Sequence, residues 1–446
     1  MDGSQLSALW AAPFAGLLLS IAFGPLLAPR FWHRHFGKIA AGWALAFMAP
    51  FALAFGPGVA AAGLAHALLA DYLPFILLLT ALFTVSGGIH IRGNLHGSPA
   101  LNCAILLAGA TLAGFMGTTG AAMLLIRPLI RANDHRRHNA HVVVFFIFIV
   151  GNIGGALTPL GDPPLFLGFL KGVTFFWTAS HLFGRTLLLV AALLALFYAI
   201  DSHFFRQEGE GGQRADPTPD TPGIGCDGAV NFGLLAAVLA LVLMSGVWRP
   251  GIGLHILGGE IALQSLLRDL GLVAVIAVSL AVTPRAVRQR NQFSWAPMQE
   301  VAKLFAGIFL TIIPVIAMLQ AGASGPFGAV MRAITRADGT PDPAMYFWAT
   351  GLLSAFLDNA PTYLVFFNAA GGDAAQLMRP HASALAAISA GAVFMGALTY
   401  IGNAPNLMVK AIAEDQGVKM PGFFGYMMWS TAVLLPLFAA LAWWMG

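Results

Sequence analysis

The chain has 446 residues, of which 58% are hydrophobic and only 9% are charged, and its formal net charge is +4. A soluble domain carries about a quarter charged residues, because its surface faces water. This composition excludes an ordinary soluble protein, and the short basic clusters between apolar runs suit membrane topology better than nucleic-acid binding. Two cysteines, Cys103 and Cys226, give no framework for disulfides or a metal cluster.

Apolar runs of bilayer-spanning length follow one another along the chain. A spanning helix needs about 20 mostly apolar residues. We predict an all-α integral membrane protein with about ten spans plus two re-entrant hairpins. The predicted spans lie near 7–28, 38–56, 66–89, 141–172, 179–200, 229–247, 271–284, 302–320, 383–412 and 424–445.

The basic residues between these runs predict the orientation of the chain. They fall in five clusters: Arg30/Arg34/Lys38, His90/Arg92, Arg127/Arg131/Arg136/Arg137, Arg285/Arg288/Arg290 and Lys410/Lys419. Short loops rich in Lys and Arg stay cytoplasmic. Placing all five inside predicts a multi-pass protein of the inner (plasma) membrane with both termini outside.

One long polar stretch separates the two halves of the chain. Residues 201–228 include Glu208, Glu210, Asp216, Asp220 and several Pro and Gly. We predict that this stretch is a flexible cytoplasmic linker between an N-terminal repeat, 1–200, and a C-terminal repeat, 229–446.

The segment 100–132 is apolar enough to cross a bilayer, yet basic residues flank it on both sides. Its centre is Gly117-Thr118-Thr119-Gly120, a poor helix centre because Gly costs about 1 kcal/mol there relative to Ala. Irregular backbone at membrane depth is tolerated where protein buries it or where it lines a cavity. We therefore predict a re-entrant hairpin with its tip at 117–120.

An internal repeat extends this interpretation to the second half. The motif Gly155-Ala-Leu-Thr-Pro-Leu-Gly-Asp-Pro-Pro164 resembles Gly396-Ala-Leu-Thr-Tyr-Ile-Gly-Asn-Ala-Pro405, at an offset of 241 residues. The same offset takes Thr118 to Asn359, which predicts a second hairpin tip at 358–361. Pro and Gly inside otherwise helical spans predict helix breaks at 157–164 and 399–406. Because the charge pattern makes one hairpin enter from inside and the other from outside, the two repeats should be inverted.

Polar residues of these motifs are the candidate ligands. Charged groups at membrane depth are costly and by default mark ion or proton pathways, which singles out Asp162 and Asp358. Each could instead serve as a helix N-cap. The neutral candidates, which could equally form ordinary interhelical hydrogen bonds, are Thr118, Thr119, Asn152, Thr158, Asn359, Thr362, Thr399, Asn403 and Asn406.

At these motifs the sequence resembles the ion transporter superfamily of divalent anion/sodium symporters, citrate and arsenite carriers and NhaD-type sodium/proton antiporters. The segments that carry the resemblance are 117–131, 151–162, 357–362 and 396–406. The resemblance implies two inverted repeats with discontinuous helices at the midplane and a homodimer, and it is strongest for the antiporter branch. The hairpin tips lack the Ser-Asn-Thr signature of the dicarboxylate carriers, and Pro163-Pro164 departs from the antiporter pattern.

The sequence therefore predicts a secondary transporter, not an enzyme, with the lipid bilayer and small inorganic ions as partners. The leading hypothesis is exchange of Na+ or Li+ for H+ by alternating access, with transient Na+ at Asp162 and Asp358 and no cofactor. Oxygen ligands of this kind suit hard cations. The alternative is an ion-coupled carrier of an organic or oxyanion substrate such as citrate or arsenite, held by helix N-termini.

Overall fold

A computed structural model describes residues 2–212, 218, 223–256 and 259–445. The first half contains α1 (Ala12–Leu27), α2 (Pro29–Phe55), α3 (Pro57–His66), α4 (Leu73–Ser86), β1 (His90–Arg92), α5 (Pro99–Met116), α6 (Thr118–Ala132), α7 (Ala140–Ile149), α8 (Pro163–Leu170) and α9 (Trp177–Gly212). A π-helical turn, Ala67–Tyr72, joins α3 to α4.

The second half continues with β2 (Gly225–Asp227), α10 (Val230–Val247), β3 (Gly253–Ile256), β4 (Gly259–Ala262), α11 (Leu263–Val282), α12 (Arg285–Arg290), α13 (Ala296–Thr311), α14 (Ile313–Gln320) and α15 (Gly328–Ala333). It ends with α16 (Pro343–Phe356), α17 (Asn359–Ala369), α18 (Ala374–Met378), α19 (Ala382–Met395), α20 (Ala404–Asp415) and α21 (Phe423–Met445). The strands form two short antiparallel pairs, β1 with β2 and β3 with β4.

The described residues contain nine helical segments long and apolar enough to cross a bilayer, and the bent pair α13/α14, with 44° at its break, adds a tenth. The predicted all-α protein with several membrane spans is confirmed. The predicted start of the second span near residue 38 is too late, because α2 begins at Pro29, directly after Ala28. Proline is well suited to a first helical turn, since its missing N–H has no intrahelical partner there.

Two helical hairpins meet near the centre of the molecule. In the first, α5 and α6 run antiparallel: Asn102 and Asn133, near the far ends, exchange two hydrogen bonds of 2.9 and 2.8 Å. The turn between them is Gly117, whose φ of 80° favours glycine. In the second hairpin, the rings of Tyr346 on α16 and Phe366 on α17 lie 6.2 Å apart.

The helices that follow each hairpin are interrupted at matching positions. The α-helical path stops at Ile149 and resumes at Pro163, and in the second half it stops at Met395 and resumes at Ala404. The starts of α6 and α17, and those of α8 and α20, are each separated by the 241-residue offset of the sequence motifs. The opposite orientation of the two repeats in a bilayer stays a prediction.

The predicted linker 201–228 begins as regular structure. Helix α9 continues past residue 200, and Asp201 and Glu208 are both buried. They lie beside Arg136, whose guanidinium is 2.6 Å from Asp201 and 3.4 Å from Glu208. These acidic residues therefore belong to a buried ionic cluster and not to a solvated linker. The predicted linker residues 213–217 and 219–222 lie outside the described part of the chain, as does the side chain of Glu210.

Candidate functional site

A cavity of about 90 Å³ lies where both hairpins and both interrupted helices meet. The first residues of four helices line it: Thr118 of α6, Pro163 of α8, Asn359 of α17 and Ala404 of α20. A helix N-terminus carries a partial positive charge and unbonded N–H groups. Helix α8 contributes the partial charge of its N-terminus but not the first two N–H donors, because Pro163 and Pro164 have no N–H. The cavity thus combines four helix dipoles with the polar residues of the motifs.

Asp162 is the most enclosed charged group of the site. Its side chain is 1% exposed and accepts hydrogen bonds from Thr118 Oγ1 at 3.0 Å, Asn403 Nδ2 at 3.2 Å and Asn359 Nδ2 at 2.6 Å. It precedes α8 but makes no side-chain capping bond to that helix. A capping role therefore does not account for this carboxylate, and its partners come from α6, α17 and the second helix break.

Asp358 lines the same cavity but, unlike Asp162, also caps a helix. Its Oδ1 accepts from the N–H of Ala360 at 3.0 Å, which makes it the N-cap of α17. The other carboxylate oxygen has no such bond to the helix and the residue faces the cavity. Asp358 therefore combines the N-cap geometry considered in the sequence with a place at the candidate site.

Three asparagines join the two helix breaks behind the cavity. Asn152 donates to Asn406 Oδ1 at 2.8 Å, and Asn403 donates to Asn152 Oδ1 at 3.3 Å. Asn406 in turn donates to the carbonyls of Gly396 and Thr399 at 2.8 and 2.9 Å. Of the three, only Asn403 reaches the cavity. Asn152 and Asn406 thus serve as interhelical hydrogen-bond partners that hold the two breaks together.

Thr158 and Thr399 secure the breaks to the hairpins in the same way. The Thr158 hydroxyl donates to the carbonyl of Gly114 on α5, and the Thr399 hydroxyl donates to the carbonyl of Ala355 on α16. Each hydroxyl also accepts a backbone N–H two residues later, at 3.2 Å in both halves. Both hydroxyls are therefore hydrogen-bonded to backbone groups, and neither threonine lines the cavity.

The two remaining candidates differ in their position. Thr119 lines the cavity beside Thr118. Thr362 lies one turn into α17, where its hydroxyl donates to the carbonyl of Asp358 at 3.0 Å and is not part of the cavity wall. The structure therefore brings together Asp162, Asp358, Thr118, Thr119, Asn359 and Asn403.

Two features of this group are left without a partner among the described residues: the negative charge of its carboxylates and one hydrogen-bond acceptor. No Lys, Arg or His of the described chain lines the cavity, so no cationic side chain lies beside the two carboxylates. The Oδ1 atom of Asn359 is buried without a hydrogen-bond partner within the described residues. A buried acceptor without a donor is costly, and a bound cation or a proton-bearing group would satisfy it. Within the same part of the chain, no cluster of three or more His, Cys, Asp or Glu side chains is arranged to hold a resident metal.

The opposite wall of the cavity was not predicted from the sequence. It is formed by Leu78, Leu82 and Phe83 of α4 and by Met298, Val301 and Phe305 of α13. These helices carry no polar motif, and their apolar side chains have the same pattern whether they face lipid or a cavity. The sequence offered no signal that would distinguish them from other spans.

Comparison with known proteins indicates a membrane transporter. Two relatives, an uncharacterized transporter of Mycobacterium bovis and one of Mycobacterium tuberculosis, are each 28% identical to this chain over 334 residues, which is 72% of this chain and 71% of theirs. Residues 3–445 match the family described as "Putative citrate transport". With nearly its whole length matched, and with its spans and central polar cavity, the chain belongs to this family of membrane transporters.

Proposed function

We propose that the protein is a secondary transporter that exchanges Na+ or Li+ for H+ at the cavity containing Asp162 and Asp358. The observation that carries this proposal is the environment of Asp162. Its three side-chain donors, Thr118, Asn359 and Asn403, are all neutral, and no basic residue of the described chain lines the cavity. An ionised carboxylate withdrawn from water is very costly without a partner charge. A metal cation or a proton would supply that charge, one in place of the other.

The oxygens around the cavity suit a small hard cation. They include both carboxylates, the hydroxyls of Thr118 and Thr119, and the unpartnered Oδ1 of Asn359. Hard cations prefer oxygen ligands, by extension from calcium and magnesium sites. The cation would thus bind between the two hairpin tips and the first helix break.

Proton binding adds a donor to the same group of hydrogen bonds. A protonated carboxyl carries one donor besides its remaining acceptor capacity, so its O–H needs an acceptor within reach. Asn359 is suited to this role, because rotation of its amide by 180° would turn the free Oδ1 toward the carboxyl group. The orientation of the Asn359 amide at the start of α17 would thus depend on whether Asp162 binds a cation or a proton.

Transport follows if the cavity opens alternately to the two sides of the membrane. The site lies between interrupted helices, which is where rigid movement of one bundle against another changes access. We propose an inner-membrane orientation with both termini outside and the residues following α9 in the cytoplasm, in keeping with the positions of the basic loops.

The decisive experiment is dissipation of a pH gradient in proteoliposomes that contain the purified protein. Addition of Na+ or Li+, but not choline, should restore the fluorescence of a trapped pH-sensitive dye. Asp162→Asn and Asp358→Asn should abolish the response at equal protein content, because neither amide can carry the exchanged charge. Exchange retained in both variants would disprove the proposed site.

An ion-coupled organic-anion carrier is the second candidate. The family description and the four helix N-termini at the cavity favour it. Two carboxylates without a basic partner disfavour a multiply charged anion in the same cavity. Saturable uptake of labelled citrate into the same proteoliposomes, with no dye response to Na+ or Li+ alone, would establish this alternative and refute cation/proton exchange.

A further inference from the structure

A second, larger cavity lies at the other end of α8 from Asp162. Its volume is about 600 Å³, and residues from the ends of α8 and α10, the segment before α9 and the start of α11 line it. Lys171, Arg249 and Arg268 contribute three positive charges, and Asp269 contributes one negative charge. Because Asp71 pairs with Lys171 and Asp269 pairs with Arg268, the excess positive charge of this cavity comes from Arg249.

Arg268 gives the cavity a donor without an acceptor. The residue is 2% exposed, and its Nε donates to Asp269 Oδ1 at 2.8 Å. Its Nη2 is buried and has no hydrogen-bond partner in the described part of the molecule. A guanidinium presents several donors in a plane that matches carboxylate and phosphate oxygens. Buried donors are normally paired, so the free Nη2 is a donor that an oxyanion reaching it would satisfy. The guanidinium also lies over the Phe166 ring, 6.0 Å from its centroid.

The other polar groups support the same occupant. Lys171 is paired with Asp71 at 2.6 Å, whereas Arg249 is exposed and has no ion pair with any described residue. Gln264 Oε1, also at the cavity, is a buried acceptor without a donor. An anionic group that also bears a hydroxyl would complement both the free guanidinium and this amide oxygen.

The remaining wall and the position of the cavity indicate where the anion comes from. Val247 is the last residue of span α10 and Gln264 lies in the first turn of span α11, so the cavity lies where spans end. Two apolar residues of its rim, Phe176 and Val247, are 63% and 82% exposed. Basic groups beside apolar surface at the end of spans are the arrangement that binds anionic lipid headgroups.

We propose that this cavity binds the phosphate group of an anionic membrane phospholipid, with Arg268 and Arg249 as its charged ligands. Acyl chains would lie along the exposed apolar rim, and a headgroup hydroxyl would donate to Gln264. The proposal does not depend on which ion the protein transports.

Native mass spectrometry of the purified protein tests this site. Phosphatidylglycerol is titrated against phosphatidylcholine with the same acyl chains, and inorganic phosphate and citrate form two further arms. We expect the wild-type protein to bind phosphatidylglycerol more tightly than phosphatidylcholine. Arg249→Gln should weaken phosphatidylglycerol binding about fivefold, the effect of one basic charge near a lipid headgroup, and this variant breaks no ion pair within the described chain.

Arg332→Gln, an exposed arginine of α15 away from the cavity and from the basic clusters at span ends, is the matched control and should bind phosphatidylglycerol as the wild type does. The double variant Arg268→Gln/Asp269→Asn removes the buried charges as a pair and should lose the preference for phosphatidylglycerol. Equal binding by wild type and Arg249→Gln would overturn the proposal. So would saturable binding of phosphate or citrate without a preference for the anionic lipid, which would assign the cavity to a free anion.

Discussion

Asn359 Nδ2 donates to Asp162 Oδ2 at 2.6 Å, and this bond links the first residue of the second hairpin's returning helix to the helix break of the first half. The two residues are 197 positions apart. Both are buried, so the bond forms in an environment where exchange with water is restricted. The bond thus couples the carboxylate of the first half directly to the amide of the second half.

The first prediction separates transport from helix capping at Asp358. Asn is nearly as good an N-cap as Asp, so Asp358→Asn should leave the amount and thermal stability of the protein almost unchanged while it abolishes cation-driven proton movement. Asp373 is the matched control, because it caps α18 through bonds to Ala375 and Gln376 and does not line the cavity. Asp373→Asn should transport normally. Equal losses in the two variants, measured as initial rates in proteoliposomes, would favour a purely structural role.

The second prediction concerns the amide of Asn359. Asn359→Leu retains the approximate size of the side chain but removes both the donor to Asp162 and the free acceptor. We expect the apparent affinity for Na+ or Li+ to fall at least tenfold, which corresponds to about 1.4 kcal/mol. The measurement is the concentration of cation that gives half of the maximal dye response. An unchanged half-maximal concentration would show that this amide takes no part in cation binding.

The third prediction tests the corresponding roles of two threonines. Thr158→Val and Thr399→Val each remove a hydroxyl that donates to a hairpin carbonyl, Gly114 or Ala355. A buried group left without its partner costs about 1–3 kcal/mol, so both variants should lower the thermal midpoint by similar amounts. Thr111→Val is the control, because Thr111 is exposed and its hydroxyl donates to the carbonyl of Leu107 in the same helix. A loss in one variant alone would argue against equivalent breaks.

The fourth prediction follows from the close backbone approach inside the first break. A Cβ on Gly161 would lie 2.2 Å from the carbonyl oxygen of Gly155, and the obstructing atoms are backbone. Gly161→Ala should therefore displace the break and abolish transport, with reduced yield of folded protein. Gly184→Ala provides the comparison, since a Cβ at that position on α9 meets nothing within 4 Å. Size-exclusion profiles and transport rates of the two variants should differ clearly; matching profiles and rates would contradict the close approach.

The fifth prediction concerns the buried ionic cluster at Arg136. Both Arg136 and Asp201 have fully buried side chains 2.6 Å apart, and His141 Nε2 lies 2.9 Å from the same carboxylate oxygen. Asp201→Asn leaves Glu208, at 3.4 Å, as the ion-pair partner of the guanidinium, which also donates to Asn133 Oδ1 at 3.3 Å. Breaking a buried pair costs about 3–5 kcal/mol. We expect a markedly lower thermal midpoint in detergent. Asp338→Asn, in an exposed turn, should have no such effect, and identical melting of the two variants would contradict the prediction.

Several features of the site could be predicted from the sequence because they depend on local chemistry. Glycine and proline interrupt a helix through their own backbone properties, so the breaks before Pro163 and Ala404 follow from motifs that recur 241 residues apart. The cost of charge at membrane depth similarly pointed to Asp162 and Asp358. Of the neutral candidates, the cavity contains Thr118, Thr119, Asn359 and Asn403.

Other features were decided by contacts between distant segments. Asn152 and Asn406 have the same residue type as Asn403, but only their positions after folding show that they hold the breaks together behind the cavity. Asp201 and Glu208 belong to a polar segment that is typical of a linker. They are buried because α9 places them against Arg136.

Sequence composition alone determined that this chain lies in a membrane, since too few charged residues exist to cover a water-exposed surface. Its Gly and Pro motifs determined that two helices are interrupted and that they resume at Pro163 and Ala404. Only the tertiary structure decided which polar groups share a cavity, that α4 and α13 form its apolar wall, and that Arg268 has a free donor in a separate basic cavity. The physical reason is that helix interruption is a property of neighbouring residues, whereas the partner of a buried polar group is chosen by packing between segments far apart in the chain.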